Sequence, residues 1–151
     1  MVVGLPSGGS SLFLEMLNLL SEPIFILYVL HTSRGEGEVG RYQSPLLQKA
    51  EVESFVNRYL NYLSSDSRFD IWLHSPNEKI TIVWERHNLI YIYGQSNKYL
   101  ELLKSNGFCA GNPNMNFPHQ HYYRSEFDAQ AKAILSEYSW SFSSLKEADL
   151  Q

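Results

Sequence analysis

The stretch FDIWLHSPNEKITIVWERHNLIYIYG, residues 69–94, decides the fold. Apolar and polar side chains alternate through three short runs, at 69–74, 79–86 and 89–94, and a period of two belongs to strands with one face buried. Ser75-Pro76-Asn77-Glu78 supplies strong turn formers between the first two runs, and His87-Asn88 is tight enough for a hairpin between the last two. The segment reads as a three-stranded antiparallel meander. In its middle run Ile80, Ile82 and Trp84 share the better core face, while Thr81, Val83 and Glu85 share the other, where Val83 points to partial cover.

Upstream, Ser10 and Ser11 can cap a helix over 12–20 that is apolar nearly all round, and Pro23 ends it. Residues 24–31 form an unbroken apolar run, the pattern of a central strand covered on both faces. TSRGEGEVGRYQS, residues 32–44, has neither period and is expected to be a loop of about a dozen residues. Loops of that length in a compact domain tend to be functional, which makes it the first candidate surface. Ser44-Pro45 has the form of an N-cap followed by proline at the first helical position. Val52, Phe55, Val56, Tyr59, Leu60 and Leu63 then make one helical apolar stripe.

Downstream, a helix is expected from about Ser96 through Tyr99, Leu100, Leu102 and Leu103 to Asn106-Gly107, where glycine can take the left-handed closing position. A short edge strand is expected at 108–110, then an irregular stretch rich in Asn, Pro, His and aromatics. A last helix begins at Ser125, with Asp128 three residues on in an imperfect capping box, and runs to Tyr138. The expectation is a single α+β domain over 1–151: an antiparallel sheet of four to five strands, including the meander, flanked by about four helices. Residues 1–10 are expected as a flexible leader and 143–151 as a frayed tail.

Composition narrows the function. The chain has 151 residues, 44% hydrophobic and 14% aromatic, a globular composition with more Tyr and Trp than a minimal core needs. The net charge of −4 comes without any cluster of Lys and Arg, which argues against nucleic acid as a partner. No clean apolar run reaches the ~20 residues of a membrane span, and the N-terminus lacks the charged region of a secretory signal. A cytoplasmic location is expected, in keeping with the single Cys109, whose apolar neighbours Phe108 and Ala110 suggest burial. No cofactor is expected.

His119 and His121, two apart on an extended segment, are weak candidates for a metal site, since no third ligand follows at recognisable spacing. Glu85, Arg86 and His87 at a strand end, with Asp70 and His74 on the preceding run, are the residue types of general acid–base chemistry. The same residues equally suit a water-facing turn with a surface salt bridge from Arg86 to Glu85 or Asp70. Two irregular segments carry the interleaved Tyr, His and Arg of interface hot spots: Arg34, Glu36, Glu38, Arg41 and Tyr42 in one, and Phe117, His119, His121, Tyr122, Tyr123 and Arg124 in the other.

In size, mild acidity, α+β layout and lack of a catalytic motif, the chain resembles the small immunity proteins with which bacteria neutralise their own polymorphic or contact-dependent toxins. The resemblance is one of overall form and transfers no residue. It implies a non-enzymatic module that binds a protein partner stoichiometrically, with Glu36, Glu38 and Glu85 meeting a basic toxin domain and tyrosines as anchors. The alternatives are a small hydrolase or metal-dependent enzyme using Glu85, His87, His119 and His121, and a homo-oligomeric structural protein that associates through a sheet edge or the first helix.

Overall fold

A computed structural model describes residues 1–5, 10–95, 97–111 and 120–149. It is α+β, with one seven-stranded sheet in the order β1-β6-β5-β4-β2-β3-β7, every neighbouring pair antiparallel. The strands are β1 (Val2–Gly4), β2 (Phe25–Leu30), β3 (Gly40–Gln43), β4 (Phe69–Ser75), β5 (Ile80–Glu85), β6 (Leu89–Tyr93) and β7 (Ser141–Ser143). The helices are α1 (Ser10–Leu19), α2 (Lys49–Ser65), α3 (Asn97–Ser105) and α4 (Asp128–Ile134). The meander β4–β5–β6 stands where the alternation places it.

The sheet holds more strands than the four to five expected, because three short ones lack an apolar period. Val2–Gly4, inside the expected leader, pairs with β6. Gly40–Gln43, inside the expected loop, pairs with β2 on one side and β7 on the other. Ser141–Ser143 and a 3-10 turn at Glu147–Asp149 order the expected tail, and Asp149 is buried against Arg41 at 2.5 Å. No strand forms over 108–110, since the chain leaves α3 through Gly107 at φ +80° with Phe108 N–H bonded to Leu103 O, a Schellman-type closure. Cys109 is exposed beyond that closure and not buried.

Helix α2 begins four residues later than Ser44-Pro45 suggests. Ser44 Oγ accepts the Ile26 amide and donates to Pro45 O, and Leu47 bridges to Ile24, so these residues extend the sheet edge instead of capping. The helix starts after Gln48, whose N–H the Glu51 carboxylate accepts at 2.8 Å. The last helix is also split: a 3-10 turn occupies Ser125–Phe127 and α4 ends at Ile134, short of Tyr138.

All four helices lie against one face of the sheet. Leu12, Phe13, Met16 and Leu17 of α1, Val52, Phe55, Val56 and Leu63 of α2, Tyr99 and Leu103 of α3, and Ala131 and Ile134 of α4 join Ile26, Tyr28, Leu30, Ile71, Leu73, Ile82, Trp84, Ile90 and Ile92 in one buried cluster. Ile80, Ile82 and Trp84 thus face the core as the alternation predicts, and Val83 on the other face is 4% exposed. The hydroxyls of Tyr28 and Tyr62 meet at 2.7 Å in this core, and burial pushes both phenols above their ordinary range. No helix among the described residues is long and apolar enough to cross a membrane.

Candidate functional site

The antiparallel register gathers polar residues at one end of the sheet. It sets Leu30 opposite Phe69, Val29 opposite Asp70 and Glu85 opposite Leu89, so the end of β2, the start of β4 and the β5–β6 turn converge. Asn88 takes φ +63°, the left-handed position of that turn, and its N–H returns to Glu85 O. Asp70 ties the three elements together: Oδ2 pairs with His31 Nε2 at 2.8 Å, and Oδ1 accepts the Arg86 backbone N–H at 2.9 Å.

Glu85 lies beside this pair. Its Oε2 accepts the His87 N–H at 2.9 Å, its Oε1 contacts His87 Nδ1, and Arg86 Nε stands 3.9 Å from Oε1. Burial, aided by the Asp70 charge, pushes the Glu85 carboxyl up to about 7 against the lowering effects of the His87 amide, Arg86 and His31. The His87 ring meets His121 edge-on at 4.8 Å, and His121 stacks on Tyr123 at 6.2 Å. A carboxyl that keeps a proton near neutral pH beside imidazoles can both donate and accept one.

A second cluster fixes the neighbouring backbone. Arg68 has no exposure, and its guanidinium donates to Asp66 at 2.9 and 3.0 Å, to Asp128 at 3.0 Å, to Glu36 at 3.2 Å and to the Arg124 carbonyl at 2.8 Å. Arg34 shares Asp128 at 3.0 Å. The hydrogen bonds from Arg34 and Arg68 hold the Asp128 carboxyl below the usual range, overcoming a smaller effect of burial. Ser67 N–H donates to Tyr122 O and Arg124 N–H to Asp66 Oδ2. The result is a ridge, Tyr122-Tyr123-Arg124, on a backbone bonded at both ends. Tyr122 is 53% and Tyr123 40% exposed, with the Arg124 guanidinium 5.2 Å from the Tyr122 ring centre.

Two clefts border the ridge and share Arg86. One, of about 270 Å³, lies between the end of α2 and β5 and includes Ser64, Ser67, Glu85, Arg86, Tyr122 and Arg124 in its walls. The other, of about 250 Å³, is lined by His31, Thr32, Arg86, His121, Tyr123 and Leu145.

Of the residues singled out in the sequence, Glu85, Arg86, His87, His121, Tyr122 and Tyr123 come together here. His119 and Phe117 lie outside the described residues. The first loop divides. Arg34 and Glu36 join the Arg68 cluster, where the Glu36 side chain is 1% exposed. Glu38 is exposed and its carbonyl accepts the Tyr42 hydroxyl. Arg41 lies over Trp72 at 5.3 Å on the sheet face away from the helices, and Tyr42 packs against Phe142 at 5.1 Å. His74 bonds Thr81 at the opposite end of β4. Among the described residues, no group of three or more His, Cys, Asp and Glu side chains could hold a metal ion. Asp66 and Arg68 were not anticipated, Asp128 was expected only as part of a helix cap, and the pairing of His31 with Asp70 was not expected; the short spacing of Asp66 and Arg68 is a local ion-pair signal, whereas His31 and Asp70 stand 39 residues apart and give none.

No protein-family model, curated protein or solved structure matches the chain.

Proposed function

We propose that the chain is a protein-binding module whose recognition element is the Tyr122–Tyr123–Arg124 ridge. The observation that carries this reading is the pairing of half-exposed tyrosines with a backbone pinned to the buried Asp66–Arg68 cluster. Aromatic and arginine anchors on prearranged backbone lose little entropy on docking, and such side chains dominate the energy of protein interfaces. An immunity protein that caps a toxin domain is the specific form of this reading. Glu36 is withdrawn into the ion cluster, so contacts to a basic toxin fall to the exposed Glu38 and Glu126 at the flanks.

A photo-crosslinking side chain at position 122 tests it. In cells of the source organism one protein is expected to crosslink at 122 and not at Leu100, an exposed site on α3. With the purified partner, Tyr122→Ala should weaken binding at least tenfold and leave the unfolding midpoint unchanged. Absence of a crosslink at 122, or equal crosslinking at both positions, refutes the reading.

An acid–base enzyme is the second reading, favoured by the Glu85 carboxyl, which titrates near neutrality in contact with His87. Its mark would be turnover of a chromogenic ester that Glu85→Gln abolishes and Tyr122→Ala preserves.

A further inference from the structure

The two clefts differ in the chemistry of their walls. Glu85 and Asp66 line the larger one, whereas the described lining of the smaller one is two imidazoles, a guanidinium, a threonine, a tyrosine and a leucine. A carboxylate stands behind the wall: Asp70 engages His31 Nε2 and the Arg86 backbone N–H, so it holds the His31 ring and the Arg86 backbone and is not among the described lining residues. A carboxylate partner at Nε2 draws the ring proton there, which leaves the Nδ1 lone pair of the neutral ring as an acceptor. Among the described residues the His31 side chain makes its one hydrogen bond through Nε2.

We propose that this cleft binds the phosphoryl group of a small phosphate monoester, with Arg86 recognising its charge and His31 Nδ1 accepting the proton of its monoanionic form. A guanidinium presents a planar fork of donors that matches phosphoryl oxygens, and the Thr32 and Tyr123 hydroxyls offer donors for others. A volume of about 250 Å³ is at or below the small end of organic-ligand pockets, which suits a compact anion. Sulfate has the same shape and no proton, so it would set a lone pair against the lone pair of Nδ1.

Inorganic phosphate is the probe, titrated into the full chain at constant ionic strength and followed by 31P line broadening and calorimetry. Saturable one-site binding is expected, with Kd of about 1 mM or below, the range open to so small a ligand. Sulfate should bind at least fivefold more weakly. Arg86→Gln should lose at least tenfold and His31→Phe at least fivefold, while Arg58→Gln, on the surface of α2, stays within twofold of the parent. His31 lines only the smaller of the two clefts, so its variant locates the anion and stands alone if Arg86→Gln fails to fold. No saturable binding to the parent chain, equal affinity for sulfate, or full affinity in His31→Phe overturns the assignment. The inference shares Tyr123 with the protein-binding reading but is tested apart from it, since phosphate alone is titrated and Tyr122 is not among the described lining of this cleft.

Discussion

Arg68 places one positive charge, without exposure, among Asp66, Glu36 and Asp128 at 2.9 to 3.2 Å. Replacing such a cluster whole by apolar groups can be harmless, but removing one partner leaves uncompensated charge in a dry site. Arg68→Ala is therefore expected to destabilise the chain by about 3–5 kcal/mol in urea unfolding at pH 7. The loss should shrink toward pH 4, where the orphaned carboxylates can neutralise themselves by taking up protons. A loss under about 1 kcal/mol at pH 7 would mean that water reaches the cluster. At this scale the sequence revealed the acid–base group around Glu85 because a strand end and a turn place those residues side by side. It hid Arg68 and His31, whose partners are set by strand register and by a segment about 60 residues away.

At the scale of elements, the long strands announced themselves and the short ones did not. β4, β5 and β6 carry five to seven residues each, rich in apolar side chains with a period of two on the core face, whereas Gly-Arg-Tyr-Gln of β3 has one apolar side chain and Ser-Phe-Ser of β7 has another. β3 is held between β2 and β7, and β7 forms on its free edge: Arg41 to Gln43 pair with Ser143 to Ser141, and Phe142 lies over Gly40. A Cβ on Gly40 would sit 2.4 Å from the Phe142 ring and 2.8 Å from Ser143 O. Gly40→Ala should consequently cost about 1–3 kcal/mol by overpacking. Adding Phe142→Ala to it should recover part of the loss, because the ring accounts for the closest contact. Urea unfolding of the two variants and the double mutant measures the coupling, and strict additivity would contradict the contact.

At the scale of the whole molecule, the polar end of the sheet makes stability depend on pH. Glu85 holds its proton up to about 7 in the fold, against a reference value of 4.5 for the unfolded chain. Between those values the folded state binds more protons than the unfolded, so this group stabilises on the acid side and its contribution falls as pH rises. His31, Asp70, Arg86, His87 and Tyr91 face the same carboxyl and shape the size of the effect. Asp128 acts in the opposite sense, since its lowered carboxyl contributes above the ordinary range and is lost in acid. The difference between the parent chain and Glu85→Gln isolates the first effect: the parent's advantage should decline by about 2–3 kcal/mol from pH 4.5 to pH 7.5. A difference that stays flat across that range would place Glu85 in water. The Arg68 cluster also bears on how the molecule assembles. Its members come from positions 36, 66, 68, 124 and 128, so the last of them arrives only after long stretches of chain have closed into loops. A nascent chain released at residue 111 would hold the meander and three helices and still lack the segment that completes the knot of charge. The Tyr122–Tyr123–Arg124 ridge therefore reports completion: its backbone takes this arrangement only when the first loop, the end of α2 and the segment at 122–128 have all met around one guanidinium.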